Sequence, residues 1–135
     1  MIRIPSVLAF ALLACTTVPD GPPEVLYDRV ACSHCGMMVS DPRFAAQLVT
    51  TDGELRVFDD PACLFQDMVA HPPAVARMWF HDSTAADERW IYWDRVAFVP
   101  TEGAPMDGGL GAVPMGTAGA IGVGEASARV LDGKP

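Results

Sequence analysis

The sequence predicts an α+β fold, and three features of its first half carry that prediction. Asp52-Gly53 separates two β-rich runs, Phe44-Ala45-Ala46-Gln47-Leu48-Val49-Thr50 and Leu55-Arg56-Val57-Phe58, a strong short-range hairpin signal. Asp59-Asp60-Pro61 then supplies an Asp able to cap a helix and a Pro suited to its first position. Leu64, Phe65, Met68 and Val69 recur at helical spacing until Pro72-Pro73 stops the run. Met78-Trp79-Phe80 reads as a third strand, so the order is β-β-α-β.

The second half repeats that order faintly. Trp90-Ile91-Tyr92 and Val96-Ala97-Phe98-Val99 are strand-like, and Pro100 closes them. A small-residue stretch from Gly116 to Ala126 reads as a weak helix, and Ala128-Arg129-Val130-Leu131 as a last strand. Nine of the 12 Gly lie from residue 101 onward and no aromatic follows Phe98, so this half cannot build a core alone. It is expected to pack on the first, with units at 30–86 and 87–135.

Ahead of both lies an export address. Arg3 precedes an apolar run from Ile4 to Ala14, the layout of a secretory signal peptide over 1–14. Leu12-Leu13-Ala14-Cys15 resembles the lipobox of bacterial lipoproteins, which makes Cys15 the expected lipidation site. Pro19, Gly21, Pro22 and Pro23 lie in a stretch without apolar periodicity, so 15–29 reads as a tether. A net charge of -8 disfavours nucleic acid as a partner, and 50% hydrophobic residues exclude a disordered acidic chain. Loss of Arg3 on export deepens the charge from -8 to -9.

The chemistry concentrates in Cys32-Ser33-His34-Cys35-Gly36-Met37-Met38: two thiols, an imidazole and two thioethers in seven residues. A redox disulfide places C-x-x-C at a helix N-terminus, and no helix signal follows here. A structural zinc site wants four N/S ligands, which Cys63 with His71 or His81 would complete only irregularly. Thiolate and thioether together select Cu(I). In an extended segment Cys35 and Met37 would share a face with Met38 turned away, and Gly36 lets the backbone bend around an ion. Ala104-Pro105-Met106-Asp107-Gly108-Gly109 places a thioether on a loop, as a candidate third ligand.

Three blocks in order, C-S-H-C-G-M-M-V-S-D-P-R-F-A-A-Q, V-F-D-D-P-A-C-L and A-P-M-D-G-G-L-G-A, together resemble the signatures of the NosL family, the nitrous oxide reductase accessory lipoproteins. The likeness runs from about Val30 to Pro114 and includes the lipobox, with Ala-Pro-Met standing where Thr-Pro-Met is more usual. It implies two small ββαβ units packed together, similar to the organomercurial lyase core. It also implies a monomeric Cu(I) chaperone, lipid-anchored on the periplasmic face of a bacterial membrane, that serves assembly of the copper–sulfide centre of nitrous oxide reductase. Carried over by motif, the ligands are Cys35, Met37 and Met106, with Cys32, Met38 and His34 secondary. Two alternatives remain: a thiol–disulfide oxidoreductase using Cys32 and Cys35, and a copper-binding lipoprotein without a dedicated client.

The other candidates read as structural. Cys63 is expected as a packed thiol, Asp59-Asp60 as a helix cap, and His71 as a helix C-terminal residue. His81 is expected as a hydrogen-bonded surface side chain, and Met68 and Met78 as core. No Ser–His–Asp arrangement or spaced carboxylate pair suggests catalysis.

Overall fold

A computed structural model describes residues 17–133. The signal-peptide reading and the lipidation site at Cys15 lie outside the described residues. Six antiparallel strands and two helices make an α+β fold: β1 (Ala46–Thr50), β2 (Leu55–Phe58), α1 (Pro61–Ala70), β3 (Val75–His81), β4 (Trp90–Tyr92), β5 (Val96–Pro100), β6 (Leu110–Pro114) and α2 (Val123–Leu131). The first sheet has the order β2-β1-β3-β4, and β5 pairs with β6 in a second. Among the described residues, no helix is long and apolar enough to cross a membrane.

The first four elements follow from local chemistry. The Thr51–Gly53 turn joins β1 to β2, Gly53 taking φ 89, which a side chain would resist. Central β1 is buried along its whole length, as a strand covered on both faces must be. The Asp60 carboxylate accepts the Ala62 N–H at 2.6 Å to cap α1, with Pro61 at the first position. His71 ends the helix ahead of the two prolines. Phe44, expected at the head of the strand, sits instead in a single 3-10 turn at Pro42–Phe44, because Asp41 accepts the Arg43 N–H and Pro42 favours helical φ.

The second half departs further from expectation. Leu110–Pro114 is a strand that its flanking glycines disguise, and Gly111 has no room for a side chain: a Cβ would lie 2.5 Å from the Ser83 hydroxyl. The helix spans Val123–Leu131 and not 116–126, since Gly116 and Gly119 take φ 92 and 76 and break the chain into turns. Ala128–Leu131, expected as a strand, is the last turn of that helix. Val123, Ala126 and Val130 recur at helical spacing and pack on the core, and Arg129 reaches back to Glu125 at 2.8 Å.

One core serves both halves. Phe98 of β5 meets Phe80 of β3 at 5.1 Å between ring centroids and Phe65 of α1 at 5.5 Å, both edge-on. Part of the stretch expected as a tether also joins this body. Val25 is buried, and the carbonyl of Pro23 accepts from the side chain of fully buried Gln47 at 3.1 Å. His81 is likewise buried and not at the surface. Its Nε2 accepts the Arg89 N–H at 3.3 Å, and Trp90 covers it edge-on.

Candidate metal centre

Two chain segments bring the thiols together. Residues 32–37 close a tight loop, with the Gly36 N–H donating to the Cys32 carbonyl at 3.0 Å and the Cys32 N–H to the Met37 carbonyl at 2.7 Å. Gly36 completes the turn at φ 76. The segment is therefore a turn and not extended, which corrects the expected alternation: Met37 and Met38 are both about half exposed. The Ser33 N–H donates to the Val57 carbonyl at 2.8 Å, and this bond pins the loop against β2 just before Asp59 and α1.

That docking places Cys32, Cys35, Asp59 and Cys63 with their ligand atoms all within 4.8 Å of one another, a group that could hold a metal ion. Cys32 and Cys63 are 3% and 0% exposed, while Cys35 is half-buried. The Cys35 thiol donates to both Asp59 oxygens, at 3.6 and 3.7 Å. The Cys63 thiol beside Cys32 holds the Cys32 pKa down, to about 6, and its own goes up through that same contact. Burial pushes the Cys35 thiol up. The cluster thus favours one thiolate, on Cys32, which its two thiol neighbours flank.

Asp59 is 1% exposed, and no Lys, Arg or His nitrogen among the described residues forms an ion pair with it. A buried carboxylate in such company lacks a cation, and three sulfur donors beside it make a soft one the best fit. The three thiols and the carboxylate therefore form a cysteine-rich group that could hold a metal ion.

The other expected ligands lie around this group in different ways. The Met106 N–H donates to Asp60 at 3.4 Å, so its loop rests on the cap of α1 beside the cluster. Gly108 makes the close approach possible, because a Cβ there would meet Ala62 at 2.6 Å and Asp60 at 2.7 Å. The Met106 side chain is 39% exposed and that of Met37 52%. Burial pushes the Asp60 carboxyl up against the hydrogen bonds from Ala62 and Met106. His34 leaves the group: its Nδ1 faces Asp67 at 3.7 Å, at the far end of α1. Met38 lies where the loop closes opposite Ala31.

Sequence reasoning undervalued Cys63 and Asp59. Cys63 is indeed packed, yet it is packed against the other two thiols, and Asp60 alone caps the helix while Asp59 turns to Cys35. Their signal was available in the V-F-D-D-P-A-C-L block, where Asp59 precedes the cap and Cys63 falls in the first turn of α1. No family model, curated protein or solved structure matches the chain.

Proposed function

We propose that this protein carries Cu(I) and hands it to a copper-requiring acceptor, as a lipoprotein of the NosL type. The observation that supports this best is the buried set of three thiols with a cation-free carboxylate, all within 4.8 Å. Thiolate and thioether donors select monovalent copper over harder ions. Cys35 belongs both to the motif's ligand set and to the cluster of thiols, and Met37 and Met106 are the thioethers read as joining it. Cys15 supplies the lipid anchor at the periplasmic face of a bacterial membrane. The acceptor is nitrous oxide reductase with its maturation machinery, on the strength of the three sequence blocks. The first ββαβ unit of that family's layout corresponds to β1-β2-α1-β3, whereas β5-β6-α2 has no strand after its helix among the described residues.

A dithiol oxidoreductase is less well supported. Its attacking thiol should be accessible and in electropositive surroundings. Here the thiol whose pKa lies near 6 is the buried Cys32, and its neighbourhood holds Asp59. Anaerobic Cu(I) titration against a competing chelator tests the proposal. Copper should bind with sulfur scatterers in its K-edge absorption spectrum, and Cys35→Ala should abolish competition. A nitrogen- and oxygen-only shell, or binding indifferent to Cys35→Ala, would overturn it.

A further inference from the structure

Five sulfur side chains belong to the proposed ligand set or to the thiol cluster, and burial divides them into two sets that share one member. Cys32 and Cys63 are sealed inside at 3% and 0% exposure. Met37 and Met106 face solvent. Only Cys35 stands between: its thiol lies within 4.8 Å of both inner sulfurs, and it is two residues from Met37 on the same closed loop. It also rests on Asp59, the neighbour of the residue that accepts the Met106 N–H. Three sulfurs this close fit one three-coordinate ion, so the inner set is complete without either thioether.

We propose that the protein holds its ion at two stations that pivot on Cys35: a buried three-thiolate site of Cys32, Cys35 and Cys63, and an exposed exit site of Cys35, Met37 and Met106. This rests on the Cu(I) reading above and adds a resting place within it. Passage outward is ligand substitution. The bonds from copper to the Cys32 and Cys63 sulfurs break, bonds to the two thioether sulfurs form, and the bond to Cys35 persists. Copper stays monovalent, the released Cys63 sulfur takes a proton from water, and Cys32 returns to the thiolate form described above. The inner station gives retention because thiolates are charged, strong donors in a site closed to solvent. At the outer station neutral thioethers bind more weakly, and an incoming donor from an acceptor can reach the ion. Without the outer station, release would require the cluster itself to open.

The two stations separate under paired equilibrium and kinetic measurements on the full chain. In anaerobic titrations with a chromogenic Cu(I) chelator, Cys63→Ala should weaken binding at least about 100-fold, beyond the effect of removing a supporting group. Met106→Ala should leave the affinity within about threefold but slow transfer to the chelator at least about tenfold. The K-edge spectrum of loaded Met106→Ala should keep three short sulfur scatterers, and that of Cys63→Ala should lose one and gain longer thioether distances. Equal losses of affinity in both variants would mean one mixed site, and the two-station arrangement would be wrong while copper carriage stood. Cys63→Ala without effect on affinity or spectrum would remove the inner station. Absence of copper binding in the unaltered protein would sink the carriage itself. Circular dichroism of Cys63→Ser, closer in volume, separates a lost ligand from a lost fold.

Discussion

The two ends of α1 each bury an aspartate, and their surroundings differ. At the C-terminal end Asp67, 2% exposed, receives Arg56 Nη1 at 3.0 Å and His71 Nδ1 at 3.1 Å, and Arg56 also donates to the His71 carbonyl at 3.0 Å. At the N-terminal end Asp59 receives, among the described residues, only weak thiol donors from its side-chain neighbours. One carboxylate is balanced within the fold and the other is not. A balanced buried charge fastens elements together, here β2 to the end of α1. An unbalanced one is open to a cation from outside, as the proposed copper site requires. The same helix thus carries a joint at one end and the proposed ion receptor at the other.

The largest expected effect tests the receptor end. Cys35→Ala removes the donor common to every copper arrangement considered, and Cu(I) affinity should fall more than about 100-fold with the melting temperature little changed. Unaltered affinity would show that the copper lies elsewhere.

Next in size is a break in the joint. Arg56→Ala leaves Asp67 buried beside histidines alone, and urea denaturation should show a loss of about 2–3 kcal/mol, at or below the lower end for a buried pair because Arg56 keeps some contact with water. If stability held, Asp67 would not depend on that guanidinium, and the contrast between the two ends would fail.

Asp59→Asn sharpens the comparison because its two readouts should move in opposite senses. Removing an uncompensated buried charge should leave the fold as stable or more so, while Cu(I) binding weakens about tenfold, or about 1.4 kcal/mol. A drop in melting temperature like that of Arg56→Ala would make Asp59 another joint.

A further test of the receptor end is the pH dependence of stability. Cys32 is held near 6, below its ordinary 9.0, so between those values the unfolded chain binds more protons at this group than the folded one. Its contribution to stability is complete above about 9.0 and fades as pH falls through about 6. Above that window the raised Cys35 and Cys63 thiols act the other way, because the unfolded chain releases protons that the folded one keeps. Urea midpoints measured across the window should rise with pH, and Cys32→Ser should flatten the rise. A midpoint flat in the unaltered protein would remove the thiolate from Cys32.

The sequence made the first half legible because each element there has a local cause: Asp52-Gly53, the Asp60-Pro61 cap and the Pro72-Pro73 stop. It was less informative where tertiary packing decides. Ala128–Leu131 suits strand or helix equally as an isolated tetrapeptide, and only the stripe with Val123 and Ala126 settles it as helix. Leu110–Pro114 becomes a strand because β5 pairs with it along its length, information absent from a glycine-rich window. The site divides in the same way. Cys32 and Cys35 stand out as neighbours in sequence, whereas Asp59 joins Cys35 across 24 residues and acquires meaning only when the Cys32–Met37 loop docks on β2. His34, inside the motif, is drawn off by Asp67 for the same reason.

The loop between β5 and β6 is unevenly fastened. Its base is stapled by the Thr101 N–H donating to the Gly109 carbonyl at 2.8 Å, but from its tip one 3.4 Å hydrogen bond runs from Met106 to Asp60, 46 residues away in the chain. A bond of that kind contributes about 1 kcal/mol at most, while closing a chain segment of such length costs on the order of 3 kcal/mol in entropy. The tip therefore stays in place because the hairpin and the shared aromatic core have already met that entropy, not because the clasp is strong.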